Sequence, residues 1–120
     1  MRTKRYTVAI AGLMPEIVTQ SILIKIWEKA AKEVCADTGI YVNAWLSESY
    51  FVCGDKRGSD LDGLTASFIT IWNPAEVESN EKFHEAFTQV VNGIRDLLGN
   101  PYVWITIEDI EFYYFIKCDS

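Results

Sequence analysis

Hydrophobic and polar residues alternate, stretch into a helical stripe and alternate again, and the chain does this twice. Within residues 6–11, Tyr6, Val8 and Ile10 fall on one side and Thr7, Ala9 and Ala11 on the other, the period of a strand. Gly12 breaks that run, and Pro15 suits a first helical turn. Over residues 15–36, Ile17, Ile24, Trp27, Ala31 and Val34 form one stripe, with Val18, Ile22, Leu23 and Ile26 around its sides. This predicts a helix with a wide apolar face, ended by Gly39. Residues 41–47 set Val42, Ala44 and Leu46 against Tyr41, Asn43 and Trp45, a second strand that extends through 50–53. A glycine-containing charged loop follows over 55–63, which suits a site loop.

The pattern then repeats. Residues 65–72 read as a buried strand stopped by Asn73-Pro74. Residues 79–98 read as a helix, capped by Ser79 or Asn80 and lined by Phe83, Ala86, Phe87, Val90, Val91, Ile94, Leu97 and Leu98, with Gly99 after it. Residues 102–108 set Val103, Ile105 and Ile107 against Tyr102, Trp104, Thr106 and Glu108. The expected fold is therefore α/β (α+β): two βαβ units, a four-stranded mixed sheet and two helices on one face, in one domain over 1–120. The face without helices would be aromatic and amphipathic. Together with the wide first helix and the aromatic tail (Phe112, Tyr113, Tyr114 and Phe115), it points to a homo-oligomer, expected as a homotrimer.

Charge and cysteine content narrow the function classes. A net charge of −6 argues against a general nucleic-acid binder, and the basic Arg2, Lys4 and Arg5 read as a solvated tail before the first strand. No apolar run would cross a bilayer and no signal-peptide pattern opens the chain, so a cytoplasmic protein without a membrane partner is expected. Cys35, Cys53 and Cys118 lack C-x-x-C spacing, and His84 is the one histidine, so neither a metal site nor another cofactor is expected. His84, beside the apolar stripe of its helix, reads as a surface residue.

The stretch 103–110, an alternating apolar strand running into an acidic and an aliphatic residue, resembles the last core strand of the tautomerase superfamily. Macrophage migration inhibitory factor, malonate semialdehyde decarboxylase and cis-3-chloroacrylic acid dehalogenase belong to that group. Residues 65–72 with 78–98 are similar to its third strand and second helix. The resemblance implies a trimer with sites near subunit boundaries and an amino-terminal proline as general base, without a cofactor. This chain departs from that pattern: it begins Met1-Arg2-Thr3, and its first proline is Pro15. The implied function is a tautomerase-like protein without the catalytic proline, binding a small, carboxylate-bearing molecule with weak or altered proton-transfer chemistry. Asp109 stands where the dehalogenase relatives carry a water-activating acid. Arg5 is a cation for a carboxylate ligand, and Tyr6 and Trp104 would line the pocket. Two other readings stay open: a non-catalytic oligomeric binding module, and a ferredoxin-like α+β sensor or dimerisation domain.

Overall fold

The computed structural model describes residues 1–52 and 63–115. Cys53, Cys118 and all of the 55–63 loop except Gly63 lie outside the described residues. The elements follow in the order β1 (Arg2–Leu13), α1 (Gln20–Thr38), β2 (Trp45–Phe51), β3 (Gly63–Ile71), α2 (Asn80–Leu97) and β4 (Val103–Glu111). The four strands form one sheet in the order β2-β3-β1-β4, and every neighbouring pair is antiparallel. This corrects the expected mixed sheet of two contiguous βαβ units. Each unit is split: β3 lies between β2 and β1, and β1 lies between β3 and β4. The arrangement is ferredoxin-like.

β1 starts four residues earlier than the hydrophobic pattern suggests, because its basic residues find acidic partners on β4. Lys4 pairs with Asp109, Arg5 with Glu108 and Arg2 with Glu111. Pro15 sits in a turn rather than in α1, where the Met14 carbonyl accepts from the amides of Ile17 and Val18. α1 begins after Thr19, whose hydroxyl accepts from the Ile22 amide at 3.3 Å. It ends at Gly39, which at φ 79° takes the left-handed conformation of a C-terminal cap and donates to the Cys35 carbonyl.

One face of the sheet and both helices bury a single core. Tyr6, Val8 and Ile10 of β1 and Ala66 and Phe68 of β3 meet Leu23, Trp27, Ala31 and Val34 of α1 and Phe83, Phe87, Val90 and Ile94 of α2. Trp27, Ala31 and Val34 of the expected α1 stripe are buried, but its first turns differ, and Ile17 lies before the helix. Leu23 is inside, while Ile17 and Ile24 are exposed. The helices approach closely at Gly93, where an added Cβ would lie 3.3 Å from the Ala30 Cβ. No helix among the described residues is long and apolar enough to cross a membrane.

Candidate functional site

The strand register decides which expected site residues can act together. Arg5 faces away from the helices, opposite Glu108, and its Nη2 donates to both Glu108 carboxylate oxygens at 3.1 and 3.0 Å. Trp104 lies on the same face, paired with Ala9. Tyr6 and Asp109 alternate to the helix-covered side. The structure therefore brings Arg5 and Trp104 to one face, and Tyr6 and Asp109 to the other. Asp109 accepts a hydrogen bond from Lys4 Nζ at 2.8 Å. That bond and the ammonium charge hold its carboxyl below the usual carboxylate range, while Asp109 in turn raises the Lys4 amine. A carboxyl held this way is a weak proton acceptor.

Tyr6 is buried, its ring packed against Phe83 and Phe87. Its hydroxyl lies 3.3 Å from His84 Nδ1 and accepts from Asn80 Nδ2 at 3.3 Å. The exposed position of His84 agrees with the surface reading of that residue. Its link to Tyr6 is invisible in the sequence, because the two are joined only by the docking of α2 on β1.

Among the described residues, two open grooves flank the sheet. The first, of about 400 Å³, lies at the β1–β4 end, lined by Arg2, Lys4, Trp72, Asp109 and Glu111 among others. Its charges are largely spent on one another through the Lys4–Asp109 and Arg2–Glu111 pairs. The second, of about 440 Å³, runs between α1 and the segment leading into β2. One stripe of α1 (Gln20, Ile24, Trp27 and Glu28) forms a wall, Tyr41, Asn43 and Trp45 form the other, and Phe68 lies at the floor. Among the described residues no Lys or Arg lines it.

This second groove is built on a fixed aromatic stack. Trp27 stacks on Phe68 with ring centroids 4.6 Å apart, and its Nε1 donates to the Val42 carbonyl at 2.9 Å. Val42 is wholly buried, so the irregular stretch around it is pinned from below, and Tyr41 and Asn43 on either side of Val42 line the opening. Trp45 is 63% exposed, an unusual setting for the largest apolar side chain. The alternation of residues 41–47 shows these aromatics in the sequence but not that they converge with α1 on one opening.

A family model for SAM lyase matches residues 1–116. The chain belongs to the SAM lyase family. No curated protein sequence matches it. Among solved structures, a phage SAM lyase in complex with S-methyl-5'-thioadenosine is similar, at 17% identity and a TM-score of 0.61, covering 89% of this chain and 81% of that one. A phage SAM lyase in the apo state matches at 13% identity and a TM-score of 0.54, covering 96% of this chain and 94% of that one. At these identities the structural likeness speaks for the fold alone. Family membership overturns the tautomerase resemblance, together with the isomerase-like, proton-transferring function it implied. The missing amino-terminal proline is thus no lost catalytic group, since the SAM lyase match leaves no tautomerase site for it to complete. The alternating strand at 103–110 misled because any strand with one apolar side shows the same alternation, whatever its family.

Proposed function

We propose that the chain is a lyase acting on S-adenosylmethionine and that the α1–β2 groove receives its adenosine portion. The family match over residues 1–116 carries the reading. A lyase of this kind breaks the bond between the sulfonium sulfur and the Cγ of the methionine-derived arm. Both electrons stay on sulfur, which leaves as neutral S-methyl-5'-thioadenosine. The carbon is taken within the substrate, whose own carboxylate oxygen closes a five-membered lactone on Cγ, a route that asks no base of the protein. What the protein contributes is a folded substrate conformation that brings the carboxylate oxygen to Cγ.

The groove suits the nucleoside half. Tyr41 and Trp45 offer ring faces for a purine, and Asn43 and Gln20 offer amide donors and acceptors to its edges. The β1–β4 groove suits it less, because the carboxylates there are already paired. The chain, taken as one domain over residues 1–120, assembles as a homotrimer in this reading. Trp104, Ile105 and Ile107 on the edge strand β4 are each at least 40% exposed, which supports further burial against another copy.

The test is direct. Purified protein incubated with S-adenosylmethionine should release S-methyl-5'-thioadenosine and a lactone, followed by liquid chromatography and mass spectrometry. Release no faster than in a heat-treated control would refute the activity, and a monomer in sedimentation equilibrium would refute the trimer.

A further inference from the structure

We infer that Glu28 makes the α1–β2 groove selective for positive charge on the ligand's sulfur, so that it holds a sulfonium nucleoside in preference to the neutral thioether. The inference rests on the groove being the adenosine site. Along the β1–β4 edge, Glu108, Asp109 and Glu111 each have a basic partner on β1. Among the described residues Glu28 makes no salt bridge and is the one carboxylate that lines the groove.

The position of Glu28 gives its charge reach. It follows Ile24 by one turn and Gln20 by two on the same stripe of α1, directly after the buried Trp27. Lys25, Lys29 and Lys32 belong to the same helix but do not line the groove. Glu28 is exposed, and its carboxylate stands at the rim of an aromatic, largely apolar wall, which on that side screens a charge less than open water does. Ring faces attract a ligand cation in the same sense. A sulfonium lodged here meets a carboxylate and aromatic faces together, with no Lys or Arg among the described residues lining the groove to oppose it.

The selectivity has a consequence for turnover. Cleavage removes the positive charge from sulfur, so the attraction that holds the substrate ends with the reaction. The neutral thioether keeps only its stacking and edge contacts, and leaves faster than the substrate would.

The experiment compares two probes that differ by one methyl group and one charge. These are S-methyl-5'-thioadenosine and its S-methylated sulfonium, in which the same nucleoside carries a dimethylsulfonio group. Binding is followed by calorimetry and by tryptophan fluorescence for wild type, Glu28→Gln and Trp45→Ala. Wild type should prefer the sulfonium by about tenfold, the scale of a partly screened ion pair. That preference should shrink as salt is raised. Glu28→Gln should bring the two probes to about equal affinity while leaving the neutral probe within about twofold of wild type, since the substituted amide keeps the shape of the wall. Persistence of the preference in Glu28→Gln, or its absence in wild type, overturns the role of Glu28 while leaving the groove reading intact. If the neutral probe fails to bind wild type, or binds Trp45→Ala unchanged, the groove itself is not the nucleoside site, and both proposals fall.

Discussion

Trp27→Phe tests how the groove is built. The indole is 5% exposed and performs two tasks: it stacks on Phe68 and it donates to the carbonyl of a fully buried Val42. Phenylalanine keeps a ring for the stack but has no donor. The Val42 carbonyl is then buried without a partner, which costs roughly 1–3 kcal/mol. The lost ring atoms add roughly 1–2 kcal/mol of lost apolar burial and residual cavity. The expected destabilisation is therefore about 3 kcal/mol, which for a chain of this size lowers Tm by very roughly 10–15 °C. Urea unfolding followed by far-ultraviolet circular dichroism would show an earlier midpoint at unchanged slope. Phe68→Leu is the control. It removes the stacked ring but spares the hydrogen bond, so the segment carrying Tyr41 and Asn43 should stay anchored. Affinity for S-methyl-5'-thioadenosine should accordingly fall more in Trp27→Phe than in Phe68→Leu. A Trp27→Phe protein within about 0.5 kcal/mol of wild type would show that water or a backbone shift satisfies the Val42 carbonyl, and the argument for a pinned wall would fail.

Trp45→Ala should weaken S-methyl-5'-thioadenosine binding by about tenfold, the scale of a base–aromatic stack, as measured by calorimetry. Asp109→Asn should retain turnover of S-adenosylmethionine, since the carboxyl is held by Lys4 at the edge of the sheet away from the groove; loss of turnover would restore Asp109 as a catalytic candidate. The Lys4–Asp109 pair also fixes the sign of a pH effect. Asp109 titrates lower in the folded chain, so its contribution is present above the unfolded carboxylate pKa and is lost as pH falls through the folded value. Lys4 titrates higher, so its contribution is present below the unfolded amine pKa and is lost as pH rises through the folded value. A carboxyl titration by NMR should show the Asp109 midpoint return toward the usual range in Lys4→Met. Thr19→Ala and Ser79→Ala remove the N-cap acceptors of α1 and α2, and each should cost about 1 kcal/mol in chemical denaturation.

Periodicity located both helices and the strands β1 and β3, each of which buries one side. By contrast, β2 and β4 bury no residue, and β2 begins only at Trp45, after an irregular stretch that reads as strand from residue 41. Periodicity also placed Val103, Ile105 and Ile107 on the helix side of β4, where they pair with Ile10, Val8 and Tyr6. Pairing was another matter. Nothing local to Thr65 or Tyr6 states that Tyr6 sits beside Thr70 and Ile107, so contiguous βαβ units and split ones look alike from sequence. The start of β1 was misread because Arg2, Lys4 and Arg5 look solvated until their partners on β4 are known. In α1 the apolar residues nearly encircle the helix, so the sequence could not say which stripe turns inward. The same ambiguity hid the groove: Ile24 reads as core, yet it is exposed at the mouth beside Glu28. Arg5 and Tyr6, neighbours in sequence, look like partners in one pocket, yet a strand sends them to opposite faces.

The central place of β1 also governs how the chain can fold as it is made. β1 is made before both of its neighbours, pairs on one side with β3 and on the other with β4, and its Arg5 meets Glu108 at a separation of 103 residues. Its second edge stays open until β4, the last of the four strands, has been synthesised. Closing contacts across such separations is slow compared with forming either helix. A nascent chain halted after α2 would present β1 as a bare edge with Lys4 and Arg5 unmatched, and their charge would then discourage pairing with a neighbouring nascent chain. The basic residues that β4 later neutralises thus act as gatekeepers during synthesis.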